Sequence, residues 1–253
     1  MKRFIILILL LKFSFAQKTI HVFVALCDNK HQGIVPVNPK IGNGQDPKNN
    51  LYWGCGYGVK MFFKLHSTEW KMVKSILTPK ENIFERVVFK HKTQNVYLVA
   101  DAYDGAFIRQ TTLDFLKACS GELKDSVMLD STKKIMIGGA SKLISYVGHD
   151  GLMEWQLDDS VTLAKDKIAR RAIILACTSR EYFKKDLQRT SATPLLWTTG
   201  LMAPEAYTLE AAVNAWIAGK TDLEIKESAA QAFSKYQKKC SIKASRNLLV
   251  TGW

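Results

Sequence analysis

The chain has 253 residues, with 36 Lys and Arg against 23 Asp and Glu, a formal charge of +13 and 47% hydrophobic residues. That length suits one α/β domain with a substantial core, and no low-complexity linker, internal repeat or Pro-rich boundary divides it. The positive balance favours acidic partners, an anionic surface or polymer among them. However, the basic residues are dispersed, as in KDKIARR and KYQKKC, and are not interleaved with aromatics, which argues for a solvated basic surface and against specific nucleic-acid binding.

In chain order, residues 1–16 read as a secretory signal peptide: Lys2 and Arg3, an apolar run Phe4–Leu11, then the small-residue ending Ser14-Phe15-Ala16. The run is shorter than the roughly 20 residues that span a bilayer, so no transmembrane anchor is expected after processing. Cleavage near Ala16 removes Lys2, Arg3 and Lys12, lowers the charge to +10 and exports residues 17–253, as one domain, to the periplasm or beyond. Five cysteines survive, Cys27, Cys55, Cys119, Cys177 and Cys240; the odd count leaves at least one thiol unpaired, and no pair has CxxC spacing.

KTIHVFVALCD predicts a buried first strand, followed by a long polar loop that closes on Tyr52-Trp53-Gly54-Cys55-Gly56-Tyr57. A helix is expected over VKMFFKLH. Strands are expected over ERVVFKHK and NVYLVADAYDG, the second ending on Asp101 and Asp104. AFIRQTTLDFLKAC has helical spacing, SVMLDSTKKIMIGG reads as a hairpin, and KLISYVG is a strand leading to His149. SVTLAKDKIARR is expected to be helical, AIILAC a strand ending on Cys177, and TPLLWTTG a further strand. Two helices close the pattern, PEAYTLEAAVNAWIAG with Pro204 at its start and Gly219 at its end, and TDLEIKESAAQAFSKYQKKC behind a Thr221/Glu224 capping box. Such alternation predicts an α/β fold with an open, mainly parallel sheet covered by helices on both faces.

The chemistry gathers at two strand ends. Ligand crevices of open α/β sheets lie outside the carboxyl ends of the strands. Parallel strands ending at His149 and Cys177, joined by a right-handed crossover helix, would bring a base beside a thiol, the minimal nucleophilic pair for acyl transfer. Cys119, in KACSG, ends an amphipathic helix instead and reads as a packing residue or half of a disulfide.

YVGHDG and IILACTS resemble the His-Gly and Ala-Cys blocks of the caspase-like (clan CD) cysteine peptidases, the group holding caspases, gingipains, legumains and separases. In those proteins each block ends an apolar strand, His first and Cys second. The segment PLLWTTGLMAPEAYTLEAAVNAWIAGKTDLEIKESAAQAF is similar to the bacterial, gingipain-type branch, and the resemblance covers roughly residues 95–250. It implies a caspase-like fold and an exported cysteine endopeptidase, a hydrolase of protein or peptide substrates needing no metal or organic cofactor. Cys177 would be the nucleophile and His149 the proton donor to the leaving amine. Backbone N–H groups at Asp150 and Gly151 would hold the oxyanion, although the family has Gly directly after His where Asp150 stands here. By analogy, Asp101 and Asp104 would hold a basic P1 side chain, and Trp197, Thr198 and Thr199 would line its pocket. The alternative is a catalytically inactive caspase-like module that binds peptide, glycan or anionic polymer through its aromatic loop and basic surface.

Overall fold

The computed structural model describes residues 17–157, 161–163 and 166–253. The leader expected at residues 1–16 lies outside the described residues. An eight-stranded, mostly parallel mixed sheet runs through the molecule in the order β10-β9-β8-β7-β1-β4-β3-β2. Its five parallel members are β1 (Lys18–Ala25), β4 (Val96–Tyr103), β7 (Leu143–Val147), β8 (Arg170–Leu175) and β9 (Ala192–Thr198). Antiparallel edges are added by β2 (Trp70–Lys80) and β3 (Ile83–His91) on one side and by the two-residue β10 (Leu249–Val250) on the other.

Strand alternation makes two cores. Ile20, Val22 and Val24 of β1 face a cluster built with α1 (Val59–Leu65), α4 (Ala206–Ile217) and α5 (Asp222–Tyr236), whereas Phe23 and Ala25 face α2 (Ile108–Ser120) and α3 (Ser179–Leu187). The expected hairpin forms as β5 (Lys124–Met128) and β6 (Lys134–Gly138), but as a separate ribbon lying over β3 and β4, where Val127, Ile135 and Ile137 pack on Val88, Tyr97 and Val99. The capping box is present, with the Thr221 hydroxyl accepting from the Glu224 N–H and the Glu224 carboxylate accepting in return.

Three features depart from the sequence pattern. The β2 strand, at the sheet edge, is not among the elements expected from the sequence; only Trp70 on it is buried, and the other positions are exposed or half-buried. A short helix, α3, follows Cys177 directly, burying only Ser179, Phe183 and Leu187. Finally, the crossover helix expected over 160–171 is not formed among the described residues. Residues 161–163 and 167–169 are irregular and Arg170 already belongs to β8. Residues 160, 164 and 165 of that expectation lie outside the described residues. Arg170 is fully buried and donates to both Asp166 carboxylate oxygens (2.9 and 2.7 Å), to the Gly139 carbonyl and to Ser191 Oγ. The Gly139 and Ser191 contacts hold Arg170 at the start of β8, whereas the Asp166 pair, at i,i+4 spacing, is one that a helix would also make.

Candidate active site at the ends of β7 and β8

One spacing places the thiol and the imidazole. Each β7 residue pairs with the β8 residue 28 positions later, from Leu143 with Arg171 to Val147 with Leu175. His149 and Cys177 stand at the same spacing, so the two chains leave the sheet side by side at its carboxyl edge. Gly148 makes the exit possible. Its φ is 153°, and a Cβ there would meet the Ala25 carbonyl oxygen and Cβ at 2.9 Å, so only glycine lets β7 pass the end of β1.

Both side chains line one cavity of about 380 Å³. Its walls are mainly apolar: Ile34, Val37 and Leu51 from the long loop after β1, Met153 beside His149, and Leu201 and Met202 from the segment between β9 and α4. The loop is irregular, as expected, but it is pinned from inside. Asn50, fully buried, accepts the N–H groups of Cys27 and Tyr52 (both 3.1 Å) and donates to the carbonyls of Cys27 (2.8 Å) and Asn43 (3.0 Å). Trp53 donates from Nε1 to Glu85 at 2.8 Å, and Lys60 pairs with the same carboxylate. A polar loop is held rigid because its buried amide and indole groups must find partners.

His149 is 8% exposed; its carbonyl accepts from the Tyr146 hydroxyl at 2.8 Å and its Nε2 lies 2.5 Å from Glu154 Oε1. Cys177 is half-buried, and its Sγ accepts from the Met202 N–H at 3.4 Å and lies 3.6 Å from the Met202 carbonyl. Among the described residues the sulfur's hydrogen bonds run to Met202 and not to His149. Burial pushes the Cys177 thiol above the ordinary range, the Met202 N–H opposes this, and the nearby Asp150 reinforces it. All five cysteines are free thiols; Cys119 is fully buried in α2, where burial drives its thiol far up, so it is a packing residue.

Asp150 and Gly151 flank this wall without lining the cavity. The Asp150 Oδ1 caps the turn Gly151–Met153 by accepting from the Leu152 N–H at 3.1 Å, while its Oδ2 is buried without a hydrogen bond. Burial raises this carboxyl to about 7. Gly151 lies against the Trp155 ring, which a Cβ would approach to 2.4 Å.

The carboxylates expected to select a basic side chain lie elsewhere. Asp101 is fully buried in an ion pair with Arg86 and a hydrogen bond with His21, and Asp104 caps the turn before α2 and accepts from Gln45. The wall expected from Trp197, Thr198 and Thr199 is also displaced along the chain. Trp197 packs on Trp253, Thr198 ties Ala176 to Ser179, and Thr199 donates to the Asn247 carbonyl, whereas lining begins at Leu201. Sequence reasoning missed the acid that does line the cavity, Glu205. Burial raises its carboxyl although Tyr207 (2.9 Å) and Gln237 (3.1 Å) donate to it, and no Lys, Arg or His pairs with it among the described residues. The signal that could have found it is its place one residue after Pro204, at the start of an amphipathic helix.

Among the described residues no group of three or more His, Cys, Asp or Glu is placed to hold a metal ion, and no helix is long and apolar enough to cross a membrane. Searches of protein-family models, of curated proteins and of solved structures found no match to this chain.

Proposed function

We propose that this chain is an exported, caspase-like cysteine endopeptidase acting through Cys177 and His149 on peptides with a long basic side chain at P1. One observation carries the reading: a thiol and an imidazole stand at matching positions beyond two adjacent parallel strands and face one apolar cavity. In acylation the Sγ–H proton passes to His149, sulfur bonds to the scissile carbonyl carbon, the C–N bond breaks, and His149 returns the proton to the leaving amine. Water then attacks the Cys177 thioester carbonyl, giving a proton to His149; the C–S bond breaks, the acid is released, and His149 returns the proton to the sulfur. The cavity's apolar walls suit the methylene stem of Lys or Arg, and the unneutralised Glu205 carboxylate suits its charged end.

The protonated thiol, bonded to Met202, favours the second reading, a non-catalytic caspase-like module that binds peptide in the same cavity. An affinity label separates the two. A peptidyl acyloxymethyl ketone with Lys at P1 is expected to modify Cys177, as mapped by mass spectrometry, and to do so far more slowly in His149→Ala. Glu205→Gln is expected to lower the preference for Lys over its uncharged isostere norleucine by about 10- to 100-fold, the worth of a hydrogen bond to a charged group. Failure of every P1 variant to modify Cys177 would sink the peptidase and leave the binding module.

Iodoacetamide gives a second check. Its rate on Cys177 should rise with a midpoint above that of an ordinary cysteine. Asp150→Asn should move that midpoint down, because the carboxylate that disfavours the thiolate is gone. A midpoint unmoved by Asp150→Asn would contradict the assigned cause.

A further inference from the structure

Glu154 ties the imidazole of the site to the loop that walls the cavity. It stands five residues after His149, and the turn Gly151–Met153, capped by Asp150, folds it back. One oxygen, Oε1, takes both contacts: His149 Nε2 at 2.5 Å and the Gly33 N–H at 2.9 Å. A carboxylate only accepts, so Nε2 carries a proton in this pair. Gly33 belongs to the loop after β1, and the approach is so close that a Cβ on it would fall 2.3 Å from Glu154 Oε1 and 2.6 Å from its Cδ. Glycine at 33 is thus what lets the loop backbone reach the carboxylate. The inserted Asp150 also acquires a reason, since its cap shapes the turn that returns Glu154 to the ring.

We propose that Glu154 is a positioning residue for the His149/Cys177 pair, holding the imidazole in the tautomer protonated on Nε2, and that Gly33 completes the device by docking the cavity-wall loop on the same oxygen. Nδ1 is then the nitrogen that exchanges a proton with the Cys177 thiol and the leaving amine. Pairs of this kind, base plus orienting acceptor, recur wherever a nucleophile needs a fixed base. The inference rests on the peptidase reading for its kinetic consequence, but the tautomer stands or falls separately.

The test uses the mature chain labelled with ¹⁵N in its histidines, with Glu154→Gln, Glu154→Ala and Gly33→Ala as variants. Gly33→Ala is the informative one. The atom it displaces is the end of a flexible side chain, so its melting temperature should stay close to wild type while the carboxylate is pushed off the ring. Long-range ¹⁵N–¹H spectra should show His149 protonated on Nε2 in the wild type and a mixture of tautomers in Glu154→Ala and Gly33→Ala. On a cleaved peptide, both should lower kcat by about tenfold or more. Glu154→Gln, whose amide oxygen can still accept, should retain the tautomer and part of the rate. The Gly33→Ala/Glu154→Ala double variant should lose no more than either alone. A wild-type spectrum with Nδ1 protonated, or one that Glu154→Ala leaves unchanged, would overturn the proposal. If no peptide is cleaved by the wild type, the peptidase reading fails while the spectra still decide the role of Glu154 in setting the ring.

Discussion

Asp101→Asn is expected to destabilise the protein by about 3–5 kcal/mol, the cost of breaking a buried ion pair from one side. Arg86 grips Asp101 with two bonds, Nε to Oδ1 at 2.6 Å and Nη2 to Oδ2 at 2.7 Å, and His21 Nε2 lies 3.0 Å from Oδ2. His21 Nδ1 accepts from the Gly138 N–H at 3.1 Å, which puts the ring proton on Nε2, aimed at Asp101. Arg86 continues to Asp125 at 2.9 Å, so one network clasps β1, β3 and β4 to the hairpin β5–β6. Burial pushes the Asp101 carboxyl up, but His21 and Arg86 outweigh it and hold the group at about 2 against an ordinary 3.8. A depressed carboxyl stabilises the fold above its unfolded value and loses that contribution as pH falls toward its folded one. About 2 kcal/mol should therefore disappear between roughly pH 4 and 2. Urea unfolding at pH 7 should show the full gap between wild type and variant, and the gap should narrow in that acid window. Equal midpoints at pH 7 would mean the network contributes nothing. Preference for a basic P1 should survive Asp101→Asn where the protein still folds, which separates this interior carboxylate from Glu205.

What could be read in the sequence followed from periodicity and ended where partnership is long-range. The strands leading to His149 and Cys177 are legible because each closes on apolar residues, Tyr146-Val147 and Ala172 to Leu175, before small or polar ones, the mark of strands buried on two faces. Their spacing held information as well, since 28 residues is the register offset of the pair. The helix expected in that interval is not formed among the described residues, and Arg170 is held at the start of β8 by Gly139 and Ser191, contacts that nothing local in the sequence marks. A helix such as α6 (Ile242–Leu248), which buries only Ser245, offers no apolar stripe to detect. Glu154 was hidden for another reason: its partner Gly33 is 121 residues away, and nothing local marks either as a contact. Asp101 and Asp104 were chosen as acids at a strand end, which is a statement about position along one strand. The sheet order puts β4 on the far side of β1 from β7 and β8, so that position is not the cavity.

His149→Ala is expected to lower cleavage of a Lys-P1 peptide by about 10²–10⁴-fold, the range general acid–base catalysis spans. The size follows from two proton transfers that the proposed mechanism gives to one ring. Burial and Asp150 keep the Cys177 thiol protonated at neutral pH, so a base must take its proton before sulfur can attack. The amine that departs is a poor leaving group until it is protonated, so the same ring must give the proton back. These demands separate with pH and with substrate. An activated ester of the same acyl group leaves without a proton; in His149→Ala its hydrolysis should recover as pH rises past the elevated thiol value, because hydroxide then forms the thiolate. The peptide should not recover, since alkaline solution supplies the nucleophile but removes the acid. Parallel recovery of ester and peptide would show that His149 serves only to ionise the thiol. Recovery of neither would mean that the ring holds the cavity in shape, and Cys177→Ala must in every case abolish both reactions.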